Sequence, residues 1–285
     1  MLVGLHFSLY CQTLFDDMMP LCSIAAHLPQ QNYCDEVGLP APPGVTLFNP
    51  QNIRRPGKII ANAAVFSRIL HRFRPDFVHF QESKTEEAFL YWWIARRYKR
   101  VLTVHDPQPH LGRDSKVRSK NVWIRNRMRE QADAVIVHAR SHRVKVESSD
   151  AKVHVVPHPV FRPRFVSCSD SRRAGPIRIL MVGRMEFYKG MPRLIEACEL
   201  LSSNGAKFEL RLAGRGPALD EIRPGLHRMP WVSVVDKYLT PEELEREVAD
   251  CDILVLPYLE GTASGIIAFG LGLKKCMVAT SVGGF

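Results

Sequence analysis

From residue 177 onward, short runs of β-branched and apolar residues alternate with segments of helical spacing, and this order constrains the fold more than any other feature of the chain. Ile177–Val182 (IRILMV), Phe208–Ala213, Trp231–Val235, Ile253–Leu256 and Met277–Thr280 read as strands. Between them, Pro192–Leu201, a short segment after Gly214-Arg215-Gly216-Pro217, Pro241–Asp250 and Gly265–Leu273 read as helices. Near-continuous apolar strands joined by helices belong to a parallel sheet covered on both faces. Thr240-Pro241-Glu242-Glu243 marks one helix start, with Thr as N-cap, Pro at the first helical position and acids at the positive end of the dipole. The spacing predicts a Rossmann-like domain over residues 177–285.

The first half shows the same alternation less cleanly. Asp76–Phe80, Val101–His105, Ala134–His138 and Val153–Pro157 read as strands, and Lys58–Phe73, Thr85–Arg97 and Asn121–Gln131 as helices. Residues 1–50 are harder to read: Leu2–Phe7 is the expected strand, and Leu39-Pro40-Ala41-Pro42-Pro43-Gly44 reads as a loop. Phe161–Pro176 (FRPRFVSCSDSRRAGP) is polar and turn-rich without periodicity. A first domain over 1–165, a linker over 166–176 and a second domain over 177–285 follow. The α/β fold class is therefore two Rossmann-like, doubly wound parallel-sheet domains in series, with ligands expected in a cleft at the carboxyl ends of their strands.

Composition narrows the partners. With 285 residues, 46% apolar and 24% charged, the chain has the makings of two packed cores and excludes a disordered or collagen-like protein. No run reaches the roughly 18 apolar residues of a membrane span. Met1–Ala26 lacks a basic start and carries Asp16 and Asp17, so no secretory signal is expected and the cytoplasm is the expected compartment. The seven cysteines form no CxxC pair and no zinc-ligand spacing, and read as reduced apolar residues. The net charge of +10 is uneven: residues 1–50 hold no Lys or Arg and four acids, residues 51–150 hold 21 basic and 10 acidic residues, and residues 151–285 hold 18 and 15. Arg54-Arg55, Arg96-Arg97-Tyr98-Lys99-Arg100 and the Arg113–Arg129 segment carry the excess. Such a surface suits an anionic membrane, at about 1 kcal/mol per basic residue near it, and equally fits an ordinary solvated surface of high pI. No RNP, KH, zinc-finger or helix-turn-helix pattern is present, so nucleic acid is not an expected partner.

Two loops carry candidate chemistry. Gly183-Arg184-Met185-Glu186-Phe187-Tyr188-Lys189-Gly190 leaves a strand and enters a helix, offering backbone N–H groups, a helix dipole and two cations to an anion. It is neither a P-loop nor GxGxxG. Leu256-Pro257-Tyr258-Leu259-Glu260-Gly261-Thr262-Ala263-Ser264-Gly265 follows another buried strand, placing a carboxylate and then small hydroxyl residues before a helix. Open α/β sheets hold a ribose and its phosphates in this way. Either loop alone also fits an ordinary surface loop.

In this order, with Leu212-Ala213-Gly214-Arg215-Gly216-Pro217 between them and Val278-Ala279-Thr280-Ser281-Val282-Gly283-Gly284 after them, the two loops resemble the donor-binding domain of GT-B glycosyltransferases of family 4, the glycosyl transferases group 1. The first half is similar to the family's acceptor domain through Arg74-Pro75-Asp76-Phe77-Val78-His79, Leu102-Thr103-Val104-His105-Asp106, Ala132–Val137 and Val155-Val156-Pro157-His158. The resemblance implies that Arg184 and Lys189 hold the donor diphosphate and serve as catalytic cations in place of a metal. It implies that Glu260, the first acid of the E-x7-E motif, binds the ribose, that Gly183, Ser264 and Gly265 line the donor site, and that His105 lies near the transferred sugar. No cofactor and no metal are implied, the nucleotide diphosphate sugar being a substrate.

Three departures accompany the resemblance. The second acid of E-x7-E falls at Ala268, within a segment closer to the family's Ser-Gly-Val variant. Phe7-Ser8-Leu9-Tyr10-Cys11 stands where the family has a glycine-rich loop. Family members continue past the Val-Gly-Gly segment, so the second domain reads as incomplete at Phe285. The expected function is transfer of a hexose to a saccharide or lipid-linked acceptor, retaining and metal-independent, at a peripheral membrane position. A nucleotide-sugar epimerase of the same fold, or a non-catalytic remnant that binds nucleotide or membrane, fits the same motifs.

Overall fold

A computed structural model describes residues 1–50, 56–107, 119–143, 146, 152–166, 175–261 and 264–285. They form two compact units, Met1–Pro159 and Val160–Gly283. Arg54-Arg55, the Arg113–Arg118 part of the basic segment, Cys168 and most of the expected linker lie outside the described residues.

In the first unit, strands β1 (Leu2–Val3), β2 (Ala26–Pro29), β3 (Val45–Phe48), β4 (Phe77–Gln81), β5 (Lys99–Val104), β6 (Ala134–Val137) and β7 (Lys152–Val155) form one parallel sheet in the order β3-β2-β1-β4-β5-β6-β7. Strand order reverses between β1 and β4, which makes their carboxyl ends the switch point where such sheets bind ligands. Side chains alternate across the sheet and feed two cores. On one face Leu2, Ala26 and Leu28 pack under α1 (Ser8–Met18) and α2 (Gln30–Glu36), through Tyr10, Cys11, Phe15 and Tyr33. On the other, Val3, Val78, Phe80, Leu102 and Val135 pack under α3 (Pro56–Phe73), α4 (Glu86–Ile94) and α5 (Ser119–Gln131). A single helical turn, α6 (Arg140–Arg143), precedes β7.

The expected strand Leu2–Phe7 stops at Val3. A side chain on Gly4 would start 2.9 Å from the His6 carbonyl oxygen, and Phe7 is left-handed at φ 63°, so the backbone turns straight into α1. The sequence reading of residues 1–50 did not anticipate α1, β2, α2 or β3. No side chain caps α1, and β2 has a histidine at its centre, His27, which is wholly buried. Both departures hide the usual signals.

In the second unit, β8 (Ile177–Val182), β9 (Phe208–Ala213), β10 (Val232–Val235), β11 (Ile253–Leu256) and β12 (Cys276–Ala279) form a parallel sheet in the order β10-β9-β8-β11-β12. Ile179, Met181, Leu210 and Leu212 pack against α7 (Met191–Ser203) and α8 (Pro217–Leu226). Leu180, Val182, Leu254 and Leu256 share the opposite core with Val248 of α9 (Pro241–Asp250) and Ile266 and Ile267 of α10 (Gly265–Gly272). Both sheets are thus covered by helices on two faces.

The helix start at Thr240 forms a full capping box. Thr240 Oγ1 accepts from the Glu243 N–H at 3.2 Å, and the Glu243 carboxylate accepts from the Thr240 N–H at 3.0 Å. Thr240→Ala is expected to cost about 1 kcal/mol, read as a lower urea midpoint with an unchanged denaturant slope.

The division between units falls before Val160, earlier than the expected boundary at 165. The Glu245 carboxylate, 2% exposed on α9, accepts the backbone N–H groups of Arg164, Phe165 and Val166 at 2.7, 2.7 and 2.9 Å. The Phe161 ring meets Phe269 edge-on at 5.1 Å. Residues 160–166 are therefore built into the second unit. The six described cysteines are free thiols. Among the described residues, no helix is long and apolar enough to cross a membrane.

Candidate functional site

At the carboxyl end of β8 the backbone turns through Gly183 at φ 106°, whose N–H bonds to the Ala213 carbonyl at 2.9 Å. The chain then runs into a 3-10 turn at Phe187–Lys189 and enters α7 through Gly190, which is left-handed at φ 69°. A side chain on Gly190 would start 2.0 Å from the Pro257 carbonyl oxygen. The Leu259 N–H donates to the Tyr188 carbonyl at 2.7 Å. The loops after β8 and β11 are therefore joined through their backbones.

That junction buries Lys189. Its side chain is 6% exposed, its Nζ lies 3.2 Å from where a Gly183 side chain would begin, and it sits 5.1 Å from the centre of the Tyr258 ring. Burial lowers its pKa to about 8, and the exposed Arg184 guanidinium pushes in the same direction. The Tyr258 hydroxyl lies 3.5 Å from Ser264 Oγ. Ser264 is the N-cap of α10 and accepts from the Ile266 N–H at 3.3 Å. Gly183, Arg184, Lys189, Ser264 and the exposed Gly265 thus gather at the carboxyl ends of β8 and β11. Glu260 stands half-buried on the loop that carries Tyr258. A desolvated ammonium, a second cation and a helix start have the chemistry to hold an anion. Tyr258 belongs to this group although the sequence reading assigned it no role, because a tyrosine beside a strand end carries no motif.

Ala268, where the family's second acid would fall, is 3% exposed, and its carbonyl accepts from the Phe161 N–H at 3.2 Å. A carboxylate there would be desolvated in the core. A separate groove of about 450 Å³ lies at the other end of the sheet, among Arg178, Glu209, Arg211 and Glu247. Arg211 pairs with Glu247 at 2.8 Å there. Open α/β sheets bind ligands at carboxyl ends, the end of the sheet opposite this groove.

In the first unit His105 directly follows β5 and is 6% exposed. Its ring stacks on Phe7 at 3.8 Å and 21°, meets Tyr10 edge-on at 4.7 Å, and lies 5.0 Å from His138 and 6.4 Å from His158. His105 Nε2 is 2.7 Å from Gln81 Oε1; with that oxygen accepting, Nδ1 is left as an acceptor. Burial holds the pKa of His105 well below the ordinary value, and His138 adds to the shift. The ring is therefore neutral near pH 7. The Glu82–Arg129 pair, bidentate at 2.5 and 2.8 Å, braces the chain just beyond His105, with Arg129 also donating to the Pro107 carbonyl at 3.3 Å. Burial pushes the Glu82 carboxyl up even against this guanidinium. Phe7 and Tyr10, in the segment read as a departure from a glycine-rich loop, are the residues that pack His105.

Two doubly wound parallel-sheet units, the second with cationic strand-to-helix loops, define an α/β protein of GT-B type. A model described as Glycosyltransferase Family 4 matches residues 22–161, and one described as Glycosyl transferases group 1 matches residues 176–285. The chain belongs to the GT-B glycosyltransferases of group 1, family 4. It is 28% identical over 104 residues to the amylovoran biosynthesis glycosyltransferase AmsK of Erwinia amylovora, a match spanning 36% of this chain and 26% of that relative's length. Among solved structures it resembles sucrose-phosphate synthase from Thermosynechococcus elongatus, with a TM-score of 0.67 and 14% identity over 99% of this chain and 82% of that one. It also resembles Anabaena Alr3699/HepE in complex with UDP and glucose, with a TM-score of 0.68 and 15% identity over 99% and 81%. At these identities the structural likenesses carry the fold.

Proposed function

We propose that the chain transfers a hexose from a nucleotide diphosphate sugar to a saccharide or lipid-linked acceptor, with retention of anomeric configuration. The observation that carries this reading is the buried Lys189 ammonium, held against Gly183 beside Arg184 and the Ser264-capped start of α10. Charge that develops on a leaving nucleotide diphosphate would meet two fixed cations there, which supports a step needing no metal ion and no cofactor. Glu260 takes the ribose hydroxyls, and the neutral His105 offers a hydrogen-bond acceptor to the transferred sugar. The UDP and glucose named with HepE support a nucleotide-sugar donor, and amylovoran biosynthesis, named for AmsK, supports a place in polysaccharide assembly. The basic excess of residues 51–150 supports a peripheral position on an anionic membrane surface, on its cytoplasmic side.

The test is nucleotide release from a panel of UDP-, GDP- and ADP-sugars with saccharide and lipid-linked acceptors, with and without a chelator. Wild type is expected to turn over one donor class in both conditions. Glu260→Ala is expected to raise the donor KM by about tenfold, the loss of one charged hydrogen bond, and His105→Ala to lower kcat. Equal turnover by both variants and wild type would remove these residues from the site; conversion of donor to an epimer without acceptor would change the reaction class.

A further inference from the structure

In the first unit, α3 packs beside α4 and α4 beside α5, so the three helices form one layer over one face of the sheet. The inner side of that layer is fully packed: Tyr91 and Trp92 are 0% exposed. The outer side leaves Ile60, Trp93 and Trp123 in water at 65, 52 and 56% exposure. Trp123 is held edge-on to Phe89 of α4 at 5.3 Å, and the Arg96 guanidinium lies 3.8 Å over the Trp93 ring. Exposed indoles beside arginines match the interfacial zone of a bilayer, where an amphipathic ring sits at the level of charged headgroups.

The charge on the two helical layers is opposed. The α3 helix exposes Lys58, Arg68 and Arg72 and contains no Asp or Glu. Arg96 and Arg97 extend that surface beyond α4. Of the three acids on α4 and α5, Glu87 is buried and accepts from Tyr91 and Asn62, Glu130 pairs with Arg127, and Glu86 stands half-buried in the first turn of α4. Across the sheet, α1 and α2 contain no Lys or Arg, and carry Asp16, Asp17, Asp35 and Glu36. A unit acidic on one side and basic on the other is oriented by an anionic plane, with its tryptophan-bearing side inward.

We infer that the outer face of α3, α4 and α5 docks on an anionic lipid bilayer, with Trp93 and Trp123 in the interface and Arg68, Arg96 and Arg97 against the headgroups. This rests on the peripheral-membrane part of the reading above and names the surface responsible. The experiment is co-sedimentation of the full chain with vesicles of phosphatidylcholine alone and of phosphatidylcholine with phosphatidylglycerol, alongside indole emission. Wild type is expected to bind the anionic vesicles, to release them as salt rises, and to shift its emission to the blue. Arg96→Gln with Arg97→Gln, and separately Trp93→Ala with Trp123→Ala, are each expected to weaken binding by about tenfold or more, while donor turnover in free solution stays unchanged. Wild type and both variants binding alike, with no blue shift, overturns the surface alone. Absence of binding to any vesicle overturns both the surface and the peripheral position. Binding equal on neutral and anionic vesicles, or preference for an RNA competitor over the vesicles, also overturns the inference. Nucleotide release is measured apart from vesicles, so failure of the transferase reading is seen separately.

Discussion

Lys189→Met is expected to weaken nucleoside diphosphate binding about a hundredfold while raising the stability of the nucleotide-free chain. The two effects share one cause. The native pKa of this lysine is about 8 against an ordinary 10.5, so at pH 7 its charge is held in a site that resists it, a cost of about 3 kcal/mol. Methionine has a similar unbranched stem and no charge to desolvate. In wild type the unfolded chain binds more protons than the native chain between about pH 8 and 10.5, so the contribution to stability rises with pH across that window. Affinity for a diphosphate runs the other way, falling as the ammonium loses its proton above about pH 8. Calorimetry with UDP, GDP and ADP, set against urea midpoints over the same pH range, reads both slopes. Unaltered nucleotide affinity in Lys189→Met would take Lys189 out of the donor site.

The first unit is expected to lose stability sharply in mild acid. His27 and His79 are 0 and 7% exposed, and burial lowers each to a pKa of about 4. Both ring nitrogens of His27 are buried without a hydrogen-bond partner, so a proton there has nothing to pair with. Between pH 6.5 and 4 the unfolded chain binds more protons than the native one, and stability falls as pH drops. At pH 5 the cost is about 2 kcal/mol for each of the two histidines, and His105, shifted in the same direction, adds to it. Glu36 and Glu82, whose carboxyls burial pushes up, oppose the trend at the acid end of the window. Urea titrations at pH 7 and pH 5 would show this as a large drop in midpoint. His27→Leu, which removes one of the protons taken up on unfolding, should shallow the pH slope. A midpoint unmoved between the two pH values would contradict the expectation.

The second unit was legible because its local signals agree with its tertiary structure. Ile177–Val182, Phe208–Ala213 and Ile253–Leu256 are largely apolar, broken by Arg178, Glu209 and Arg211, and form the observed strands at the same bounds, and Pro241–Asp250 begins at its capping box. Residues 1–50 were opaque for the converse reason. The strand Ala26–Pro29 places a histidine in the core and ends on proline, and α1 starts from a left-handed phenylalanine instead of a capping side chain. The candidate site divides the same way. Gly183, Arg184, Lys189, Glu260, Ser264 and Gly265 could be read from motif order. The partners that set their chemistry could not: Tyr258 over Lys189, and Phe7, Tyr10 and Gln81 around His105, meet through contacts distant along the chain.

The approach of Gly190 to the Pro257 carbonyl also bears on how such a site can diversify. Because that spacing leaves no room for even a methyl group, the loops after β8 and β11 cannot be shifted independently of each other. The side chains at the loop tips, Phe187 and Leu259, are 51 and 47% exposed, so exchange is expected to be tolerated there first. A library randomised at those tips, with the glycines held constant, is the natural starting point for altering what this chain accepts.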